Sequence, residues 1–352
     1  MRLVSRVCHR HTRFFVPWGS FMPFRPSGLL LLLFGVGVIP IAARAEPPDD
    51  PRHTLTIQLE NDSTRMGSDN YYTSGERVAY TSPTGLLPGP LSALGRALLG
   101  EGRQRMGLEV SQHIFTPLRT HLSDPPPNDR PYAAVLMGTV SLIQDTDTSR
   151  TALALGLGII GPGALGRNVQ NGFHELIGQI QARGWGTQIP NQPVIQLTAE
   201  RTWRIPLTSS GSALEVDILP SLTAGAGTFR IYAQAGGQIR IGQGLQSDFG
   251  APRIRPGLTG TDAYAQTREF AWYLFAGADG QAVAWDETLD GLPFATSRHV
   301  GRSPLVGEFQ AGLAVMVWGV RLTATHVLRT DEFRGQRNGL FQFSAISVSV
   351  KF

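Results

Sequence analysis

"HTLTIQLEN", residues 53–61, decides how the rest of the chain is read. Leu55, Ile57 and Leu59 point one way while Thr54, Thr56, Gln58 and Glu60 point the other, the period of two that belongs to a β-strand. One face is apolar and the other is small or polar. The same pattern returns in Leu153, Leu155, Leu157 and Ile159 against Ala154, Gly156 and Gly158. It returns again in Val320, Leu322 and Ala324 against Arg321, Thr323 and Thr325. The last strand sets Ile346, Val348, Val350 and Phe352 against Ser347, Ser349 and Lys351, and the chain stops there.

A soluble sandwich fills its inner face with large side chains from both sheets. A small or polar second face in segments of about ten residues is instead the signature of a transmembrane antiparallel β-barrel. Candidate strands lie near 53–61, 72–82, 105–115, 132–144, 151–160, 193–206, 213–223, 229–241, 268–278, 281–288, 305–318, 319–330 and 339–352. Single-chain bacterial barrels have even strand numbers, so the expectation is an all-β barrel of about 12 strands in which 268–288 has been divided once too often. The pattern turns helix-like only near 168–182, where a short loop helix is expected.

The first 45 residues hold six arginines, no acidic residue, an apolar run from Leu29 to Ile39, and Ala43-Arg44-Ala45. This is the grammar of a secretory leader, too short to span a bilayer. It predicts cleavage after Ala45, with Met22 as an alternative start, and a single barrel domain over 46–352. The only cysteine, Cys8, falls in the leader, so the mature chain has no disulfide. Losing six of the 31 basic residues and none of the 27 acidic ones takes the formal charge from +4 to −2. That balance, with no basic stripe, gives no support to nucleic-acid binding.

Three polar clusters interrupt the alternation at strand ends. Continuing the first strand puts Asn61 outward with Leu59 and Asp62 inward with Glu60. The connection from Pro117 to Arg130 carries Arg119, His121, Asp124, Asp129 and Arg130 around three prolines, either a rigid solvated loop or a source of cations for an anionic lipid. Gly161-Pro162-Gly163 precedes "NVQNGFHELIGQ", residues 168–179, where Gln170 and His174 stack on one helical face. A helix with a solvated polar side is the plain reading of that pair. Counting strands up and down brings all three clusters to one membrane side, the cell exterior if the N-terminus is periplasmic.

In order along the chain, Asn61-Asp62, Tyr72-Thr73-Ser74-Gly75, Asp129-Arg130, Gly161-Pro162 and Gln170-Asn171-Gly172-Phe173-His174 resemble the motifs of the outer-membrane lipid A 3-O-deacylase family. The likeness runs from about residue 53 to the end. It implies a monomeric twelve-stranded barrel in the outer membrane that removes the 3'-linked acyloxyacyl chain from lipid A and requires Ca2+. It further implies His174 as the general base, Asp62 as a metal ligand, and Asn61, Thr73 and Gln170 as groups that orient water, base or ester. Arg119, His121 and Arg130 are the candidate contacts to the anionic substrate. Histidine suits proton transfer near neutral pH, and oxygen ligands suit a hard cation. One position departs: family members carry glutamate six residues beyond the histidine, where this chain has Ile180. Glu175 would point about 100° from His174 on a helix, and Gln179 is a weak substitute.

Two other functions fit parts of the pattern. A phospholipase-type acyl hydrolase could use Ser63, Ser68 or Ser74, though none stands in a nucleophile elbow. A non-catalytic pore would be lined by inward small residues such as Ala154, Gly156 and Gly158.

Overall fold

The computed structural model describes residues 50–62, 70–209, 211–254, 262–337 and 339–352. The expected leader and its cleavage site lie outside these residues, as do Ser63 and Ser68.

Thirteen strands run in chain order: β1 Thr54–Asn61, β2 Tyr71–Thr81, β3 Arg103–Thr116, β4 Ala133–Asp145, β5 Ser149–Ile160, β6 Gln192–Trp203, the two-residue β7 Ile205–Pro206, β8 Glu215–Gly227, β9 Arg230–Gln243, β10 Phe270–Asp286, β11 Leu305–Val317, β12 Val320–Arg329 and β13 Phe341–Lys351. Every pairing is antiparallel. Sequential neighbours pair all the way round, β6 pairs with β8, and β1 pairs with β13. The result is a closed barrel of twelve strands with β7 as an extra strand beside β8. Closure leaves no unpaired edge in the bilayer.

The wall follows the sequence alternation. Leu55, Ile57 and Leu59 are exposed on the outside, whereas Thr54, Thr56, Gln58 and Glu60 are buried inside. The region 268–288 is one strand of 17 residues. Asp279-Gly280 imitates a turn, yet Asp279 simply faces the lumen and pairing continues without a break through Gly236 and Glu308.

Three α-helices accompany the wall: α1 Gly89–Leu99, α2 Gly166–Ile177 and the single turn α3 Glu287–Asp290. None of the described helices is long and apolar enough to cross a membrane. Sequence pattern gave no hint of α1, whose Pro-Gly start and internal Gly95 hide a short amphipathic repeat. The helix expected near 168–182 begins at Gly166 and stops at Gly178, which takes the left-handed conformation (φ 71°) and donates its N–H to the last turn. Such a glycine ends helices because it has no Cβ to clash.

Part of the lumen is occupied by an inward segment and by ion pairs. Segment 244–254, after β9, turns inward: Asp248 meets Arg240 of β9, Arg321 of β12 and the hydroxyl of Tyr273 of β10. Arg253 reaches Glu60 of β1 and Glu308 of β11, both at 3.0 Å. Near the other rim Tyr71, Tyr72, Phe115, Phe333, Phe341 and Phe343 form an aromatic cluster.

Candidate active site

The Asn-Asp, Tyr-Thr and Gly-Pro motifs share one rim because strand register puts them there. Asn61 pairs with Ser74, Ser74 with Ile114, and Ile114 with Ala134, whose carbonyl accepts from the N–H of Gly161 at 2.9 Å. At about 4.8 Å per strand this row of four spacings spans roughly 19 Å. Tyr72 and Ser74 flank a β-bulge, and Thr73 is the extra residue. A bulge re-aims its side chain. Here the Thr73 hydroxyl lies 2.7 Å from that of Thr116. Thr116 belongs to the outward set of β3 with Leu108, Val110 and Ile114, so Thr73 joins the outer face.

Helix α2 packs against that outer face. Ala164, Ala182, Trp185 and Tyr132 form a buried cluster with the outward residues Ile114 and Ala134, backed by Leu136 and Ile159. Gln112, also outward on β3, donates its amide to the carbonyl of Ala164. Two glycines make the approach possible. Gly161 has φ 104°, and a Cβ there would sit 2.6 Å from the backbone of Pro190. A Cβ on Gly166 would overlap that of Ala134 and lie 2.8 Å from Trp185.

The orientation of α2 reverses the expectation of a solvated polar side. Gly166, Gln170 and His174, one residue per turn, are buried against the wall. Val169, Phe173, Leu176 and Ile177 are exposed, Leu176 at 81%. On the outside of a barrel the surrounding medium is lipid, which receives the apolar side.

Each polar residue of the motif grips the segment that follows the helix. Trp185 Nε1 donates to Gln170 Oε1 at 2.8 Å. Asn171 accepts from the N–H of Ala182 at 2.9 Å and donates to its carbonyl at 3.1 Å. His174 Nδ1 bonds the carbonyl of Ile180 at 2.7 Å. A carbonyl only accepts, so Nδ1 carries the proton and the neutral ring keeps its lone pair on Nε2. Glu175 is exposed, and Gln179 contributes its backbone N–H to the helix end rather than a side chain to the ring.

The Arg119–His121 loop is tied to the same segment, because the N–H of Arg183 donates to the carbonyl of Thr120 at 2.9 Å. Arg119 and His121 are both exposed. Arg130 is not on this surface. It is 1% exposed, lies over the Phe115 ring, and pairs with Glu332 at 2.7 Å and the Thr288 hydroxyl at 2.9 Å. From it runs an unbroken alternation of charge: Arg130–Glu332–Arg329–Glu308–Arg253–Glu60. The chain ends one residue before Asn61-Asp62. Arg130 thus reaches the site from within.

Two rim carboxyls carry displaced pKa values. Burial alone would raise Glu332, but Arg130 and Arg329 hold it down at about 2. Glu287 is pushed up to about 8 by burial and then by its neighbour Asp286.

Asp62 is 3% exposed; its N–H donates to the carbonyl of Thr73 at 3.3 Å, and its Oδ2 accepts from the N–H of Asn70 at 2.5 Å. Among the described residues no group of three His, Cys, Asp or Glu side chains converges as a metal site. Among the described residues a cation here would draw on the Asp62 carboxylate and the neutral oxygens around it. That all-oxygen set fits a hard, weakly held ion such as Ca2+ and does not fit zinc.

Sequence reading missed several residues that build the site: Thr116, Gln112 and Trp185, and the carbonyl of Ile180. Gln112 and Thr116 carry a signal, since both are polar at outward positions that follow the apolar run Met106, Leu108 and Val110.

Residues 29–352 match the family described as outer membrane protein LpxR. No curated protein matches the chain. Among solved structures, LpxR from Salmonella typhimurium is similar with a TM-score of 0.70 and 20% identity, over 85% of this chain and 100% of that one. The β domain of the Bordetella autotransporter BrkA and the translocator domain of NalP from Neisseria meningitidis each give 0.39, at 11% and 10% identity. They cover 86% of this chain and 99% and 87% of their own.

Proposed function

The chain belongs to the LpxR family of outer-membrane lipid A deacylases, and from that premise we propose that it hydrolyses the ester of the 3'-linked acyloxyacyl chain of lipid A. In this reading His174 is the general base, Ca2+ sits at Asp62, and the protein acts as a monomer matured by cleavage after Ala45, with its site facing the cell exterior. The observation that carries the reading is the bond from Nδ1 of the buried His174 to the Ile180 carbonyl, which puts the lone pair of the neutral ring on Nε2.

Nε2 accepts a proton from water as the water oxygen attacks the ester carbonyl. The tetrahedral intermediate collapses, the imidazolium returns its proton to the departing sugar oxygen, and the acyl group leaves as a carboxylic acid. Asn61, Thr73 and Gln170 orient the water, the base and the ester. A bound Ca2+ held by Asp62 and neighbouring oxygens would supply positive charge to the developing oxyanion. Arg119 and His121, exposed on the loop beside α2, meet the anionic groups of the substrate, while Arg130 braces the site from the lumen. Acyl chains of the substrate would run beside Leu59 and Val110 on the outer wall, so the lipid need not leave its leaflet to react.

Mass spectrometry of lipid A from cells expressing the wild type and His174→Ala, each with Ca2+ and with a chelator, tests the scheme. Loss of one acyloxyacyl unit only with the wild type in Ca2+ is the expected result. Unchanged lipid A from a correctly inserted wild type would overturn it.

A further inference from the structure

Helix α1 lies at the rim opposite the site and has no part in the proposed chemistry. It packs, like α2, on the outside of β3 and β4. Gln104 and Gln144 are paired neighbours at outward positions of those strands. The Ser92 hydroxyl and the Gln104 amide hydrogen-bond at 2.9 Å, and Gln144 Nε2 donates to the carbonyl of Leu99 at 3.0 Å. Polar side chains on a lipid-facing wall are costly unless bonded, and these two are bonded to the helix. Gly95 is the only buried residue of α1. A Cβ there would come within 2.6 Å of Gln104 and 3.1 Å of Leu142, so the helix lies flush on the wall because this position is glycine.

Everything else apolar on α1 points away from the protein. Leu91, Leu94 and Leu98, spaced i, i+3, i+7, are each about half exposed, with Leu86 just before them. Arg96 is exposed on the other side of the helix, and Glu101 follows it. Leucines on one side and an arginine on the other describe a helix lying in a membrane interface. The leucines also continue the apolar band of Leu108, Val110 and Val140 on the same two strands.

The spacing agrees. Gln104 holds α1 and Gln112 holds the turn that leads into α2, eight residues apart on one strand. At about 3.4 Å per residue that is roughly 27 Å along β3, or about 20 Å of height at a tilt near 40°. An outer-membrane apolar band is about 25 Å tall. Two helices on one strip of wall therefore stand at its two boundaries.

We infer that α1 is an interfacial foot, with Leu91, Leu94 and Leu98 among the glycerophospholipid acyl chains of the leaflet opposite the site and Arg96 at the level of their phosphates. By gripping that leaflet, α1 fixes the height at which α2 meets the other one.

The test is site-directed spin labelling of the full chain in Cys8→Ser background, which leaves no other cysteine. Barrels carrying Leu94→Cys or Leu98→Cys are folded into phosphatidylethanolamine–phosphatidylglycerol vesicles, with Val110→Cys as the reference in lipid and Asp124→Cys as the reference in water. Collision rates with oxygen and with a water-soluble nickel chelate report depth. Labels at 94 and 98 that match Val110, with nickel collisions several-fold below those at Asp124, support the foot. Nickel collisions at the Asp124 level at both positions overturn it, and would mean that the leucines face water or a soluble protein. If a label at 94 blocks insertion, Leu91→Cys is read beside Leu98→Cys by the same criterion.

Discussion

The imidazole of His174 is aligned by the backbone of Ile180: Nδ1 lies 2.7 Å from that carbonyl oxygen, six residues further along the chain. A carboxylate at this position would orient the ring and also stabilise the imidazolium. A carbonyl orients it with a dipole alone. The departure at residue 180 thus replaces a charge without losing the acceptor.

The Ile180 side chain is 77% exposed and takes no part in that bond. Ile180→Ala should therefore retain deacylation within a few-fold, whereas His174→Ala should lose about 10²–10⁴ in rate if it removes a general base. Turnover of purified lipid A by both variants checks the pair; equal losses would mean that residue 180 acts through its side chain.

Alanine usually stabilises a helix relative to glycine by up to about 1 kcal/mol. Gly166→Ala should do the opposite, because its Cβ meets Ala134 and Trp185. The expected variant folds as a barrel, shown by heat-modifiable migration, but α2 is prised from the wall and activity falls more than tenfold.

Arg253 stands between Glu60 and Glu308 with all three buried. Arg253→Ala takes the arginine from buried Glu60, while Glu308 keeps Arg329, and should cost on the order of 3–5 kcal/mol. Adding Glu60→Gln should recover part of that loss. Urea unfolding from vesicles measures both, and strict additivity of the two changes would break the link between them.

The two displaced rim carboxyls give opposite pH effects. Glu332, depressed to about 2, contributes stability that is present above its ordinary pKa and is lost as pH falls from about 4.5 towards 2. Glu287, raised to about 8, favours its neutral form when folded, so stability declines as pH rises from about 4.5 to 8. Glu287→Gln keeps an acceptor for Gln192 and removes the ionisation. It should raise the unfolding midpoint at pH 9 and leave it nearly unchanged at pH 4.

With Asp62 as the carboxylate that the described residues supply, calcium affinity should be weak, about 10⁻⁴–10⁻³ M. Titrating activity with Ca2+ would show half-saturation there, and Asp62→Asn should move it higher.

Alternation made the wall legible, since each letter of β1 or β13 reports its own face. Parity also placed Asn61 outside. It could not place α2, because the polarity rule inverts when lipid rather than water lies beyond the helix: Leu176 is exposed where a soluble protein would bury it. The ion chain was invisible for another reason. Arg130 and Glu332 are 202 residues apart, and no local pattern joins them. The acceptor for His174 could not be read at all, since a carbonyl is common to every residue and Ile180 looked like a loss.

The proposed site on the outer wall would leave the lumen with no catalytic duty, and segment 244–254 together with the ion pairs of Asp248 and Arg253 crosses it. Deacylation at that face would need no solute path through the barrel, so one wall would carry two separate duties, chemistry outside and cohesion within.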